Sequence, residues 1–352
     1  RHDLWLNTLC HRLEGYLRRT DIKDPNDWME LCELWASDLR THITTKKWNK
    51  AIKKLRVFLK KFNLNDCLEE NVSNSNRKII SMENLNVALP NTIIKIEKEE
   101  TILSIRNENV AIELNLRRGL TIENLSFASH GEKPSIGRLP HGHFQNIMLG
   151  ADYYSGGFIA ELPSQRKRVT DLVRIKPSLC ITKNGHLEIS AEIRTSIGKI
   201  IKTISVSSDS EVISMKYNFY DFKVVGSVRL GIITLLNGFS NGSSILCTNG
   251  GLNFERFDLK GDFDHAKPAS SLVSSSRGLG ATNGNLIVQN NQNFINLNWD
   301  VEKSAVLPML QSFSNGNDKL NRILFSLQEF DETVKAPTPL YSFELAVSSK
   351  MK

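Results

Sequence analysis

Residues 187–219, LEISAEIRTSIGKIIKTISVSSDSEVISMKYNF, decide the fold class. Within them Leu187–Ile193, Ile200–Val206 and Val212–Phe219 read as strands, because apolar or β-branched residues alternate with polar ones at a period of two. The Ser-rich break at 207–210 separates two of these runs. The same texture extends outward through Thr92–Ile96, Ile102–Ile105, Val110–Leu116, Ser227–Thr234, Leu286–Val288, Phe294–Trp299 and Tyr341–Val347. Asn184-Gly185, Asn237-Gly238, Asn241-Gly242, Asn249-Gly250 and Asn283-Gly284 punctuate it as turns. About 265 residues of this kind exceed one immunoglobulin-sized domain and fit one large antiparallel β-sandwich. No fixed repeat is visible, which argues against a propeller.

The first sixty residues have a different period. Trp5, Leu6, Leu9, Leu13 and Leu17 form one helical stripe, and Trp48, Ile52, Leu55, Leu59 and Phe62 form another. Between them, Asp24-Pro25-Asn26-Asp27 stops one helix and caps the next, which is expected to run from Trp28 to about His42. Thr44 or Thr45 caps the third. The chain therefore reads as an α+β multidomain protein: a three-helix segment over 1–62, a polar Asn/Ser/Glu-rich linker over 63–84, and a sandwich over 85–352.

On the second helix, Trp28, Leu31, Trp35, Asp38 and His42 recur at steps of three and four and are expected to share one face. A carboxylate on such a face is costly unless it is paired, hydrogen-bonded or set in a cleft. Asp38 and His42 either pair structurally or line a site in which burial and His42 set the protonation of Asp38. Leu34-Trp35-Ala36-Ser37-Asp38 followed by Arg40-Thr41-His42 resembles the Ser-Asp segment of family 57 glycoside hydrolases, although better-studied members place an aromatic residue where this chain has Leu39. The resemblance implies a general acid/base role for Asp38 with His42, sugar contacts from Trp35 and Arg40, and a catalytic barrel preceding Arg1. It also implies an oligo- or polysaccharide with α-glycosidic linkages as substrate.

Asn107-Glu108-Asn109-Val110 and Leu116–Leu125, with an Arg-Gly turn at Arg118-Gly119, resemble the galactose-mutarotase-like supersandwich found in many carbohydrate-active enzymes. Residues 130–171 gather His141, His143, Asp152, Tyr153, Tyr154 and Glu161 among glycines and prolines. Such loops on a rigid sandwich concentrate binding residues. A carboxylate beside aromatic rings suits a sugar, with acceptors for hydroxyls and a flat apolar face for the ring. The alternative is a docking loop. His141 or His143 with Glu161 supplies the acid and base that an aldose epimerase needs, and a non-catalytic carbohydrate-binding module is a further alternative.

Other classes are less well supported. The five cysteines, Cys10, Cys32, Cys67, Cys180 and Cys247, are scattered without paired spacing, so neither a zinc site nor a disulfide framework is expected. They are expected to be buried and reduced, as in a cytoplasmic protein. No phosphate loop, GxSxG elbow or HExxH occurs, and neither cofactor nor metal is expected. The net charge of +7 is concentrated in residues 1–62, where 14 Lys and Arg face 8 Asp and Glu. No aromatic platform interleaves these lysines, which reads as a solvated helix face and not a nucleic-acid footprint. No run approaches the ~20 apolar residues of a membrane helix.

Overall fold

The computed structural model describes residues 3–36, 39, 44–64, 89, 91–97, 101–139, 154–222, 224–265, 278–330 and 342–350. Three helices open the chain: α1 (Asp3–Arg19), α2 (Pro25–Leu34) and α3 (Thr45–Lys61). Asp24 caps α2 by accepting the Asn26 N–H at 2.9 Å, and Pro25 occupies the first turn, where its missing N–H costs nothing. Thr44 caps α3 in the same way, accepting from Lys47. Leu6, Leu9, Leu13 and Leu17 of α1 meet Leu31, Leu34, Leu55, Phe58 and Leu59 in one apolar core.

The second helix is shorter than its stripe suggests. It stops at Leu34, with Trp35 at the cap position, short of the expected end near His42. The Trp35 indole Nε1–H donates to Asn7 Oδ1 on α1, at 2.9 Å. Asp38, Arg40 and His42 lie outside the described residues, as does most of the linker.

Twenty strands are described after the helices. In chain order they are β1 (Ile93–Glu97), β2 (Ile102–Arg106), β3 (Val110–Asn115), β4 (Thr121–Phe127), β5 (Ile136–Gly137), β6 (Phe158–Leu162) and β7 (Lys167–Thr170). There follow β8 (Ser178–Ile181), β9 (Leu187–Thr195), β10 (Gly198–Val206), β11 (Val212–Tyr220), β12 (Ser227–Leu235), β13 (Ser244–Cys247) and β14 (Glu255–Asp258). The last are β15 (Phe263–Asp264), β16 (Asn285–Gln289), β17 (Phe294–Asn298), β18 (Leu307–Asn315), β19 (Asp318–Gln328) and β20 (Phe343–Ser348).

They form two antiparallel sheets. The larger has 11 strands in the order β1-β2-β3-β4-β5-β12-β19-β18-β15, with β6 and β7 added beside β12. The smaller has nine, in the order β14-β13-β16-β17-β20-β11-β10-β9-β8. Their inner faces meet through rings: Phe325 of β19 lies 5.5 Å from Phe343 of β20, and Phe158 of β6 lies 5.9 Å from Phe219 of β11. Strands of residues 187–220 alternate buried and half-exposed side chains, as a half-solvated sheet requires. The long pair β18–β19 is the largest element that the alternating pattern did not reveal.

Two features pin the sandwich. Gly119 adopts φ +62°, and a Cβ there would stand 2.0 Å from the Asp171 carbonyl oxygen. Gly119→Ala is therefore expected to cost roughly 1–3 kcal/mol, checked by chemical denaturation. Deeper in, Lys202 of β10 and Asp171 are both fully buried, with Nζ 3.0 Å from Oδ2. Lys202 also donates to the Gly119 carbonyl at 2.8 Å, and the Phe158 N–H donates to Asp171 Oδ1 at 2.9 Å. The pair joins β10 of the smaller sheet to the Gly119 turn between β3 and β4 of the larger one.

The helices touch the sandwich along residues 302–305. Thr8 Oγ1 accepts from the Ala305 N–H at 2.9 Å, and Arg19 pairs with Glu302 at 2.7 Å. The helices and the sandwich each have an apolar core of their own, so a truncated chain beginning at Asn84 is expected to keep its β circular-dichroism signal and a cooperative melt. Loss of both in the truncated chain would refute an independent sandwich. No disulfide is found among the described residues; Cys10 and Cys247 are buried, whereas Cys32 is exposed on α2, contrary to the expectation that all would be buried. Among the described residues no helix is long and apolar enough to cross a membrane.

Candidate functional site

The register of the larger sheet defines its two faces. Ile105, Ile112, Leu125, Ile136 and Leu235 lie side by side on β2, β3, β4, β5 and β12 and point into the core. One residue along, the row on the opposite face is polar: Lys95, Ser104, Glu113 and Asn124, ending on Gly137. It resumes across β12, β19, β18 and β15 as Thr234, Arg322, Gln311 and Asp264. Ser155 joins the halves, donating from Oγ to the Gly137 carbonyl and accepting the Thr234 N–H at 3.1 Å.

Arg229 of β12 carries the densest polar cluster on this face. Its register partners are Ile159 on one side and Ser326 on the other. The guanidinium grips Glu329 bidentately, at 3.0 and 2.8 Å, a geometry that fixes both groups in one plane. Ser326 and Ser227 donate their hydroxyls to the same carboxylate. Both members of the ion pair are 15% exposed. Burial opposes the Arg229 charge, but the hydrogen bonds and attraction of Glu329, with the fields of Glu161 and Asp264, outweigh it and raise its pKa. Nearby, Gln311 donates to Asp264 at 2.9 Å. Glu329 thus holds Arg229 directly, while Glu161 and Asp264 act on it through their fields.

Irregular backbone shapes this region. Register shifts follow Val228 and Leu230 on β12, and Gly231 adopts φ +55°. The freed groups are satisfied by a neighbouring turn: Gly231 donates to the Gly157 carbonyl, and Gly156 donates to that of Ile232. Bulges of this kind re-aim side chains and are common beside sites.

The sequence-predicted residues fall in several places. Glu161 is on this face but pairs with Arg168, with one contact at 3.0 Å. Tyr154 is 5% exposed, packed with Leu139 and Leu320 and flanked by the guanidinium groups of Arg118 and Arg138. It is a packing residue at the end of the face and not an accessible platform. Trp35 is remote, at the junction of helices and sandwich. His141, His143, Asp152 and Tyr153 lie outside the described residues. Of the described histidines of the sandwich, His130 bonds Ser135 and His265 accepts the Leu310 N–H, while His186 sits in the turn before β9, where its backbone N–H donates to Thr182. Among the described residues no His/Cys/Asp/Glu group is arranged to hold a metal ion.

Sequence reasoning missed Arg229, Arg322, Gln311, Asp264 and Glu329. The available signal was a lone arginine inside the apolar run Ser227–Leu235.

No family model matches this sequence. No curated protein matches it either. Solved structures with which it overlays include a galactose mutarotase-like protein from Clostridium acetobutylicum, at 10% identity and TM-score 0.44, covering 74% of this chain and 98% of that one. A galactose mutarotase related enzyme from Lactobacillus acidophilus gives 8% and 0.41, covering 71% and 97%. An α-N-acetylgalactosaminidase from Bifidobacterium bifidum gives 7% and 0.45, covering 69% of this chain and 35% of that one. At such scores these likenesses carry no argument about activity.

Proposed function

We infer that this chain is a carbohydrate-active protein of the supersandwich class, which takes a sugar on the outer face of its larger sheet. The observation that supports this reading is the Arg229–Glu329 clamp with Glu161 and Asp264 around it. Fixed carboxylates and amides offer acceptors for hydroxyls at defined positions. They stand beside the apolar side chains Ile159, Leu307 and Met309 on the same face, the mixture of polar and apolar surface that a sugar uses.

Two finer readings differ in chemistry. An aldose-epimerase-like enzyme opens and recloses a sugar ring, using a base on the anomeric hydroxyl and an acid at the ring oxygen. The cluster of carboxylates favours it as a source of the base. The family 57-like reading instead rests on residues 34–42, with Asp38 as general acid; Asp38, Arg40 and His42 lie outside the described residues.

Calorimetry and polarimetry with D-galactose, D-glucose and maltose test the proposal. Binding that weakens in Arg229→Ala is expected, and faster mutarotation that is lost in Glu329→Gln marks an epimerase. Absence of binding to all three sugars, or binding indifferent to Arg229→Ala, would overturn the sheet-face site. For the family 57-like reading, Asp38→Asn is expected to lower turnover of an α-glucan by orders of magnitude while leaving the melting temperature unchanged.

A further inference from the structure

A second cleft lies where α1 faces the sandwich, and its Leu307 stands opposite Ser326, the strand partner of Arg229. Its volume is about 580 Å³, inside the range of roughly 300–1,000 Å³ typical of small-molecule sites. Asn7, His11, Glu14 and Arg18 line one wall. They follow at steps of four, three and four, so they share a face of α1 separate from the leucine stripe that packs the bundle. Trp35 closes the inner end. Its ring meets His11 edge-on at 4.8 Å, and its Nε1–H is tied to Asn7. The opposite wall includes Gly250, Gly251, Leu252, Thr282 and Asn283. A Cβ added at Gly250 or Gly251 would meet nothing within 4 Å, so this wall leaves open room.

We propose that this cleft is a binding subsite for a neutral saccharide, distinct from the sheet-face site. An indole beside an imidazole presents apolar ring surface to the C–H face of a sugar. Glu14, Asn7, Thr282 and Asn283 surround it with acceptors and donors, the mixture that hydroxyls need because each both donates and accepts. Charge selects the class further. Glu14 lies 2.8 Å from Arg18, so the guanidinium of this wall is already matched. An anionic ligand would meet the Glu14 carboxylate, and a purely apolar one would strand the polar rim. The position between two bodies is also where ligand pockets favour forming.

The full chain titrated with maltohexaose, cellohexaose and mannohexaose, followed by calorimetry and tryptophan fluorescence, tests this. At least one hexasaccharide is expected to bind. His11→Ala and Trp35→Phe are each expected to weaken it by about tenfold or more, a shift of about 1.4 kcal/mol. If Trp35→Phe melts early, His11→Ala decides, because His11 lies on the cleft side of α1 and outside its leucine stripe. Lack of binding by all three sugars overturns the proposal, as does binding that survives both cleft variants. Binding lost in Arg229→Ala but kept in His11→Ala also overturns it and places the sugar on the sheet face instead.

Discussion

Lys202→Met lowers the unfolding free energy by about 3–5 kcal/mol, the range found when one partner of a buried ion pair is removed. The cause is the group left behind. Asp171 is fully buried, and burial drives its pKa up while the Lys202 charge holds it down. Lys202 is the mirror case: burial pushes its pKa down, and Asp171 pulls it up. Without the ammonium, the carboxyl must either stay charged in an apolar interior or take up a proton. A proton satisfies it only in part, since the Gly119 carbonyl also loses its donor. The double variant Asp171→Leu/Lys202→Met is expected to recover much of the loss, because two apolar side chains need no partners. Urea denaturation of the wild type, both single variants and the double variant checks this. Single variants within about 1 kcal/mol of wild type would show that the pair does not pin the sheets.

Arg229→Ala is expected to weaken sugar binding by about 10- to 100-fold, or about 1.4–2.8 kcal/mol. Arg229 need not touch the sugar for this to follow. It holds Glu329 bidentately with Ser326 and Ser227, and removing the fork frees the carboxylate to rotate. Arg229→Lys separates position from charge, since an ammonium keeps the charge but cannot supply two parallel donors. The lysine variant should therefore recover less than half of the lost binding free energy. Calorimetry of all three proteins with one sugar decides it. Full recovery by lysine would mean that charge alone matters.

What the sequence settled by itself is local and periodic. Alternation at a period of two placed Leu187–Ile193, Ile200–Val206 and Val212–Phe219 in strands, because each strand has one face in the core. The Asn-Gly pairs marked turns, and Gly185, Gly238, Gly242, Gly250 and Gly284 all adopt positive φ there. The leucine stripe of α1 and the caps Asp24 and Thr44 were legible for the same reason: their partners lie within one or two helical turns.

The contact that ties the end of α2 to α1 was not legible, because Trp35 bonds Asn7, 28 residues away in sequence. The ion pair of Asp171 with Lys202 was equally hidden, since nothing local distinguishes Lys202 from the solvated lysines of neighbouring strands. The polar face was hidden most completely. Its members sit on β6, β12, β15, β18 and β19 and just beyond, and meet only through sheet order. Residues 229 and 329 are 100 positions apart, and no spacing rule reaches that far. Only the tertiary register decided which side of each strand faces the core, and so which polar side chains gather opposite it.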